Sequence, residues 1–372
     1  MPSNGISNSD LIDLQRTTLE NLPDLDFEVA LNYQTYLVCD QWFQEDKIQV
    51  ESGTSIKRNI ILDDSGNAIH VRLYQKVPVN VADVQRQITA PWVQARTHYT
   101  IERREALRNR APARYVDLLK SRRVDGMVSL ANLIEQDGWK SPNSSSDDLN
   151  PRGLTYWFNK VIPSAGSGYD STIDVTTGGF VGRRVLFGDG SQSTTDVAGI
   201  NPTAEVKWRN YAAVYTSVST SDLIRAMRKA FYATSFQSPM LVKDLEHGVK
   251  AGYRIYSPLD TLIQLEELAQ AQNVGSDLLG PDLAKFHGVT AFRRVPLQYA
   301  PLLDSDTSAP VYMVNHNNFY PIVQEGDWLR ENEPMMDVES NNVIVTIVDN
   351  SYQFFNKNRR TSGAVIHKAL SA

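Results

Sequence analysis

Few residues in this chain are placed to do chemistry. Three glycine-rich stretches stand out: SAGSGYDS from Ser164, TTGGFVG from Thr176 and FGDGSQS from Phe187. None carries the GxxxxGK[ST] pattern, in which backbone amides cradle phosphates and a lysine reaches them, so all three read as turns. The six histidines (His70, His98, His247, His287, His316 and His367) never fall three or four apart. No HExxH or HxH pair is therefore available to seat a metal on one helix face. Ser167 lacks the GxSxG elbow that exposes a nucleophilic serine. Asp304 and Asp306, in LLDSDTSAP, form half of a calcium loop whose glycine and distal glutamate are missing. Solvation accounts for the carboxylate pairs Glu266–Glu267 and Asp63–Asp64. The single cysteine, Cys39, excludes an internal disulfide and a cysteine-built zinc site, and reads as a small buried apolar side chain. No catalytic, metal-binding or cofactor-binding residue is assigned, and no cofactor is expected.

The elements around these residues are those of a large folded protein. At 372 residues the chain is long enough for two or three units of about 100–200 residues. With 41% hydrophobic and 9% aromatic residues it can fill a sizeable core, which excludes intrinsic disorder. The longest apolar run, Val343–Val348, falls far short of the ~20 residues a membrane span needs. The opening MPSNGISNSD has neither the basic start nor the apolar block of a secretory signal, so synthesis and residence in the cytosol are expected. The sequon Asn143-Ser144-Ser145 is then out of reach of glycosylation.

The net charge of −6 argues against a nucleic-acid binder held by bulk charge, but the charge is segregated. Residues 1–46 set Arg16 against nine carboxylates, a balance of −8. Residues 96–123 set eight arginines and Lys120 against Glu102, Glu105 and Asp117, a balance of +6. The cations are 24 Arg and 13 Lys, and arginine is the cation that makes forked pairs at interfaces.

The alternation of Ile48, Val50, Ile56, Ile60 and Leu62, then the turn DDSGN, then Ile69, Val71 and Leu73, predicts a long hairpin over 47–77. Arms of roughly 15 residues would reach about 50 Å. A free two-stranded ribbon is marginal in water, so its apolar face must be covered by the body of the subunit or by a neighbour. Pro112, followed by Val116, Leu119, Met127, Leu130 and Ile134 at helical spacing, predicts a helix over 112–137 that stops at Gly138. Ser219/Asp222 and Ser257/Asp260 have capping-box spacing and predict helices over 222–236 and 258–272. Residues 154–210 read as irregular with strands, and the last third as strand-rich. No repeat or heptad pattern is present.

The runs VYMVNHNNFYPIVQEGDWLRENEP and NVIVTIVDNSYQFFNKNRRTSGAVIH resemble the closing segments of tailed-bacteriophage major capsid proteins of the Hong Kong ninety-seven (HK-type) fold. The order of the earlier elements fits the same family. The resemblance implies an α+β fold with an N-terminal arm (1–46), an extended hairpin or E-loop (47–77), and a peripheral domain (78–240) holding the spine helix (112–137). An axial domain (241–334) and a return strand of the peripheral domain (335–372) complete it.

The implied function is an icosahedral head shell around double-stranded DNA, built in the host bacterial cytoplasm from hexamers and pentamers of the chain. Separate scaffolding, portal and decoration proteins are implied, with non-specific contact to packaged DNA and no membrane. The implied inter-subunit residues are Ile56, Lys57, Arg58, Ile60, Ile69, Val71, Arg72 and Leu73 on the E-loop. Arg103, Arg104, Arg108, Arg359 and Arg360 are implied elsewhere, with DNA contact a competing use of Arg103, Arg104, Arg108 and Arg110. Some members cross-link an E-loop lysine to a neighbour's asparagine. Lys57 is the central lysine here, but no partner is identifiable and no cross-link is predicted. With 46 residues ahead of the hairpin, a fused scaffold is expected to be either absent or already removed. The competing readings are an encapsulin-type shell of the same fold and, in a different class, a cytosolic enzyme with a site built from loops 164–193.

Overall fold

The computed structural model describes residues 35–44, 48–63, 66–73, 83–102, 104, 112–161, 178–181, 185–193, 196–234, 252–273, 283–286, 289–293, 295–337 and 342–369. In chain order a short π-helical segment, Val38–Trp42, precedes β1 (Gln49–Glu51), β2 (Ser55–Ile61), β3 (Gln85–Pro91) and β4 (Val93–Glu102). Helix α1 (Pro112–Trp139) and the single turn α2 (Leu154–Trp157) follow, then β5 (Gly179–Val181), β6 (Val185–Leu186), β7 (Gln192–Ser193), β8 (Asn210–Tyr215) and α3 (Leu223–Ala233). Next come β9 (Tyr253–Ser257), α4 (Leu259–Asn273), β10 (Leu283–Phe286), β11 (Val289–Phe292), β12 (Val295–Tyr299) and β13 (Val311–Asn315). The chain closes with β14 (Phe319–Gln324), β15 (Arg330–Glu331), β16 (Met335–Met336), β17 (Val343–Asn356) and β18 (Gly363–Lys368).

Two sheets organise the molecule. In the first, β17 is central: it pairs with β4 from Val343↔Glu102 to Tyr352↔Val93, and with β14, β15 and β16 elsewhere. β4 alternates strictly, so Val93, Ala95, Thr97, Tyr99 and Ile101 turn inward. α1 packs on β4, and the Thr97 hydroxyl donates to the Gly126 carbonyl at 3.1 Å. The second sheet runs β10-β11-β12-β9-β13-β18-β8-β5, with α3 and α4 sharing one buried core. The chain changes sheets between β13 and β14 and returns between β17 and β18. These crossings cut through the expected boundaries: β8 and α3 sit with the second sheet, β14 and β15 with the first, and β18 with the second. A division by contiguous segments misses this because both sheets recruit strands far apart in sequence.

The expected helices form, with different ends. α1 continues through Gly138 to Trp139, about 42 Å in all. Gly138 is not a stop signal; a Cβ there would meet Val38 Cγ2 at 2.6 Å, so the glycine lets the Val38–Trp42 segment lie against the helix. Arg123, which interrupts the apolar stripe of α1, pairs with Glu331 at 3.1 Å. Neither capping box closes. Asp222 accepts from Thr216 N and Ser217 N of the preceding turn, and the first amide of α4, Leu259 N, donates to Asp304 at 2.8 Å. Asp304 is thus a helix cap, and Asp306 pairs with Lys160, which gives both residues of the half calcium loop structural work.

The N-terminal segment is fixed by one buried carboxylate and one indole. Glu135 of α1, 2% exposed, accepts from Val38 N (2.8 Å), Cys39 N (3.3 Å) and Trp139 Nε1 (3.1 Å). Burial pushes its carboxyl above the ordinary value, and these donors oppose that shift. Cys39, half-buried, has its thiol pushed up to about 12 by burial and then by Glu135, which leaves it a packing residue. Trp42 is fully buried among Trp139, Tyr256, His316, Phe319 and Phe354, with ring centroids between 5.1 and 6.1 Å away. Its Nε1–H donates to Tyr256 Oη at 2.9 Å, and that hydroxyl donates to His316 Nε2 at 2.8 Å. His316 Nδ1–H completes the relay at the Phe319 carbonyl, 3.2 Å away. Trp42→Ala should lower the unfolding free energy of the isolated subunit by about 3–5 kcal/mol, checked by urea denaturation.

Candidate assembly surface

The ribbon that projects from the body is β2 with β3, in register from Ser55↔Pro91 to Ile61↔Gln85. This corrects the expected hairpin. The return arm is 85–91, while Ile69, Val71 and Leu73 belong to the segment beyond β2, in no regular strand. The physical reason is burial. Ile56 pairs directly with Ala90, and with Ile88 they form one face, all three 0–1% exposed. The 196–200 turn seals that face, Thr89 N donating to the Ala198 carbonyl at 2.9 Å. A return strand at 69–73 would have no body to lie on.

Ile56 is therefore a core residue of its own subunit and not an inter-subunit contact. Ile60 is half-buried against the same core. Arg58, expected at an interface, turns back within the subunit to Glu51 and, at 3.0 Å, to Gln49 Oε1. Lys57 and Arg72 are exposed. Leu62 is still buried, but Ile61 at the end of β2 is 67% exposed, and further on Ile69 is 48%, Val71 53% and Leu73 85% exposed. These are the uncovered part of the ribbon.

The remaining arginines divide. Arg103 and Arg108 lie outside the described residues, as do the first 34 residues with most of the acidic arm, and Arg104 is exposed. Arg359 is corrected outright. It is fully buried, and its Nε, Nη1 and Nη2 donate to Trp157 O (3.0 Å), Trp208 O (3.2 Å) and Asn210 Oδ1 (2.8 Å). Burial lowers its pKa to about 9, still high enough to keep it a cation at neutral pH. Arg360 is half-buried with its guanidinium 3.9 Å above the Phe180 ring. Arg359 thus pins the β17–β18 turn to the body of its own subunit, while Lys357 in the turn stays exposed. An Arg following an apolar strand gives no sign in sequence of which way it points.

Among the described residues no cluster of three or more His, Cys, Asp or Glu comes together. A cleft of about 520 Å³ lies beside Trp139, Phe187 and Leu302, and its ionisable pair, Lys160–Asp306, is engaged, Lys160 also donating to Ser308 Oγ at 2.9 Å. Most of loop 164–193, the site of the enzyme reading, lies outside the described residues. No helix among them is long and apolar enough to cross a membrane.

No protein-family model and no curated protein matches the sequence. Solved structures do. A chain of the cyanophage A-1(L) capsid asymmetric unit superposes with a TM-score of 0.57 at 12% identity, over 94% of this chain and 97% of that one. A capsid chain of a native GTA particle gives 0.51 at 11%, covering 94% and 95%. The SrpI encapsulin of Synechococcus elongatus gives 0.52 at 8%, covering 96% and 95%. This chain has the HK-type capsid fold. In its terms α1 takes the place of the spine helix. The similar structures are shell proteins rather than enzymes. At these identities the likeness is one of fold, which explains why short sequence signals outside the last third could not carry it.

Two tests follow from the buried residues. Arg359→Ala leaves three acceptors without their donor and should cost the isolated subunit about 3–5 kcal/mol. Arg359→Lys, which cannot fork to all three, should recover only part of this. An interface arginine would leave urea unfolding of the unassembled subunit unchanged. The second test concerns His367, whose Nδ1–H donates to Lys368 O (2.6 Å) while Nε2 accepts from Val161 N (2.9 Å). Burial lowers its pKa to about 4, with Lys160 adding to the depression and Asp306 opposing it. The unfolded chain takes up this proton first, so folding stability should fall by about 3 kcal/mol as pH drops from about 6.5 to about 4. His367→Gln should flatten that slope in unfolding measurements at pH 7 and 4.5.

Proposed function

We propose that this chain is a major capsid protein, which self-assembles as hexamers and pentamers into an icosahedral head shell around phage double-stranded DNA. The observation that carries this reading is the end-to-end likeness to phage capsid chains, together with a ribbon whose outer segment leaves Ile69, Val71 and Leu73 wet. Exposed apolar groups grouped on a projecting element mark a surface made for another protein, and in a shell that protein is a copy of the same chain. The role is structural and catalyses no reaction. Assembly takes place in the host bacterial cytoplasm with separate scaffolding, portal and decoration proteins, and the product is the virion capsid. With a net charge of −6 the chain meets packaged DNA weakly and without sequence preference, through a few arginine–phosphate contacts sensitive to salt.

The likeness to the encapsulin supports a second reading, a cellular compartment of the same fold. Purification of the expressed chain by size-exclusion chromatography and electron microscopy tests the shell. Hexamers, pentamers or megadalton particles are expected, whereas an enzyme would elute as a small oligomer. Nuclease-protected DNA in particles from infected cells selects the capsid, and enclosed protein cargo selects the compartment. Val71→Asp combined with Leu73→Asp should abolish particles while leaving a folded, soluble subunit, because both side chains are exposed in the subunit itself. Normal particles from this variant would remove the ribbon from assembly.

A further inference from the structure

α3 and α4 share one face of the eight-stranded sheet, with Leu223, Met227, Leu265 and Ala269 buried in a common core. α3 packs on β8 and β18, and α4 on β10 and β12. The rest of each helix is sorted by charge. α3 carries Arg225, Arg228 and Lys229 and no carboxylate, whereas α4 carries Asp260, Glu266 and Glu267 and no cation. Arg293, from the turn between β11 and β12, adds a cation at the end of α3, its guanidinium 4.9 Å from the rings of both Phe231 and Tyr232. Its φ of 48 is a backbone conformation that side-chain-bearing residues seldom adopt, so the turn is held in a costly shape.

Among the described residues no ion pair joins the two helices, and Arg228 and Lys229, half-buried, have contacts of their own within the subunit, so the exposed positive charge of α3 is that of Arg225. Arg225, Asp260 and Glu267 are exposed. Apolar groups lie beside them in water: Tyr232 is 70% exposed, Leu259 41% and Ile263 43%.

We propose that the cationic face of α3 on one copy docks against the anionic face of α4 on the next. This inference rests on the shell reading and adds the contact that would close a ring. Each subunit presents both halves of the contact on different elements, the arrangement of a head-to-tail interface, which closes when the rotation permits. Charges of opposite sign set partner and register, while Tyr232, Leu259 and Ile263 supply desolvated area, and tyrosine and arginine are the residues on which interface energy concentrates.

The experiment reverses the charges. Arg225→Glu alone, Glu267→Arg alone and both together are expressed, and rings and shells are quantified by native mass spectrometry and electron microscopy. All three should keep the wild-type unfolding midpoint, since the positions are exposed. Each single reversal should weaken ring formation roughly tenfold, and the double reversal should restore it because the swapped faces again match. Wild-type rings should loosen at high salt. Single variants that assemble as wild type does, or a double variant no better than the singles, overturn the helix contact while leaving the shell reading intact. A wild-type chain forming neither ring nor shell overturns both. Loss of double-stranded DNA binding by Arg225→Glu, with shells unchanged, would instead assign the α3 face to DNA and overturn the contact.

Discussion

The fold depends on where Trp42 goes. Its ring sits at the meeting point of the spine helix (Trp139), the eight-stranded sheet (Tyr256) and the first sheet (Phe319, Phe354). An indole can fill such a place only if its N–H is satisfied, because an unmade hydrogen bond in a dry site costs about 1–3 kcal/mol. Tyr256 and His316 supply that bond as a relay ending on a backbone carbonyl. The relay has a direction: the carbonyl of Phe319 can only accept, so His316 carries its proton on Nδ1 and offers Nε2 to the tyrosine. The N-terminal segment thereby ties together the helix and both sheets at one point.

Arg359 solves the complementary problem at the crossing between the sheets. The chain leaves the first sheet at β17 and enters the second at β18 through a tight turn, and a turn buried between layers strands carbonyl groups without partners. One guanidinium, with donors in a fixed fork, meets Trp157 O, Trp208 O and the side chain of Asn210 at once. None of these acceptors is a carboxylate, so the charge is stabilised by oriented dipoles, and its lowered pKa records what burial costs it. The connection between the two sheets is a polar network in which each member needs the others.

Sequence reasoning succeeded where local signals and tertiary structure agree. The apolar stripe of Leu119, Leu130 and Ile134 reads as a helix face, and in the structure that face is buried. The alternation in β17 reads as a strand, and it is one. It misjudged cases that only partners could decide. Ile69, Val71 and Leu73 alternate as well as Ile88 and Ala90 do, yet only the latter pair opposite Ile56 with a body beneath them. Gly138 has the composition of a stop and the role of a close approach. Ser257 and Asp260 have capping spacing, but Asp304, distant in sequence, takes the amide of Leu259. Glu135, a carboxylate on a helix like many others in the chain, gave no sign that it would be buried beneath the N-terminal segment.

The contrast between what the subunit satisfies internally and what it leaves open bears on function. Arg58, expected at an interface, and Arg96 and Arg123 at the ends of the basic segment find carboxylates at home in Glu51, Asp349 and Glu331. Glu135 and Arg359, both buried, are held by donors and acceptors of the same chain. Against this, wet apolar side chains stand at several places, among them Ile61, Ile69, Val71 and Leu73 at and beyond the end of β2, and Tyr232, Leu259 and Ile263 on α3 and α4. A monomer under selection for solubility alone would not gather its wet apolar side chains on a ribbon, where they invite association. Nor would it sort cations onto one helix and anions onto another, since mixed signs serve solubility better. Both patterns have a cost for a free subunit, and the proposed contacts between copies are what would remove it.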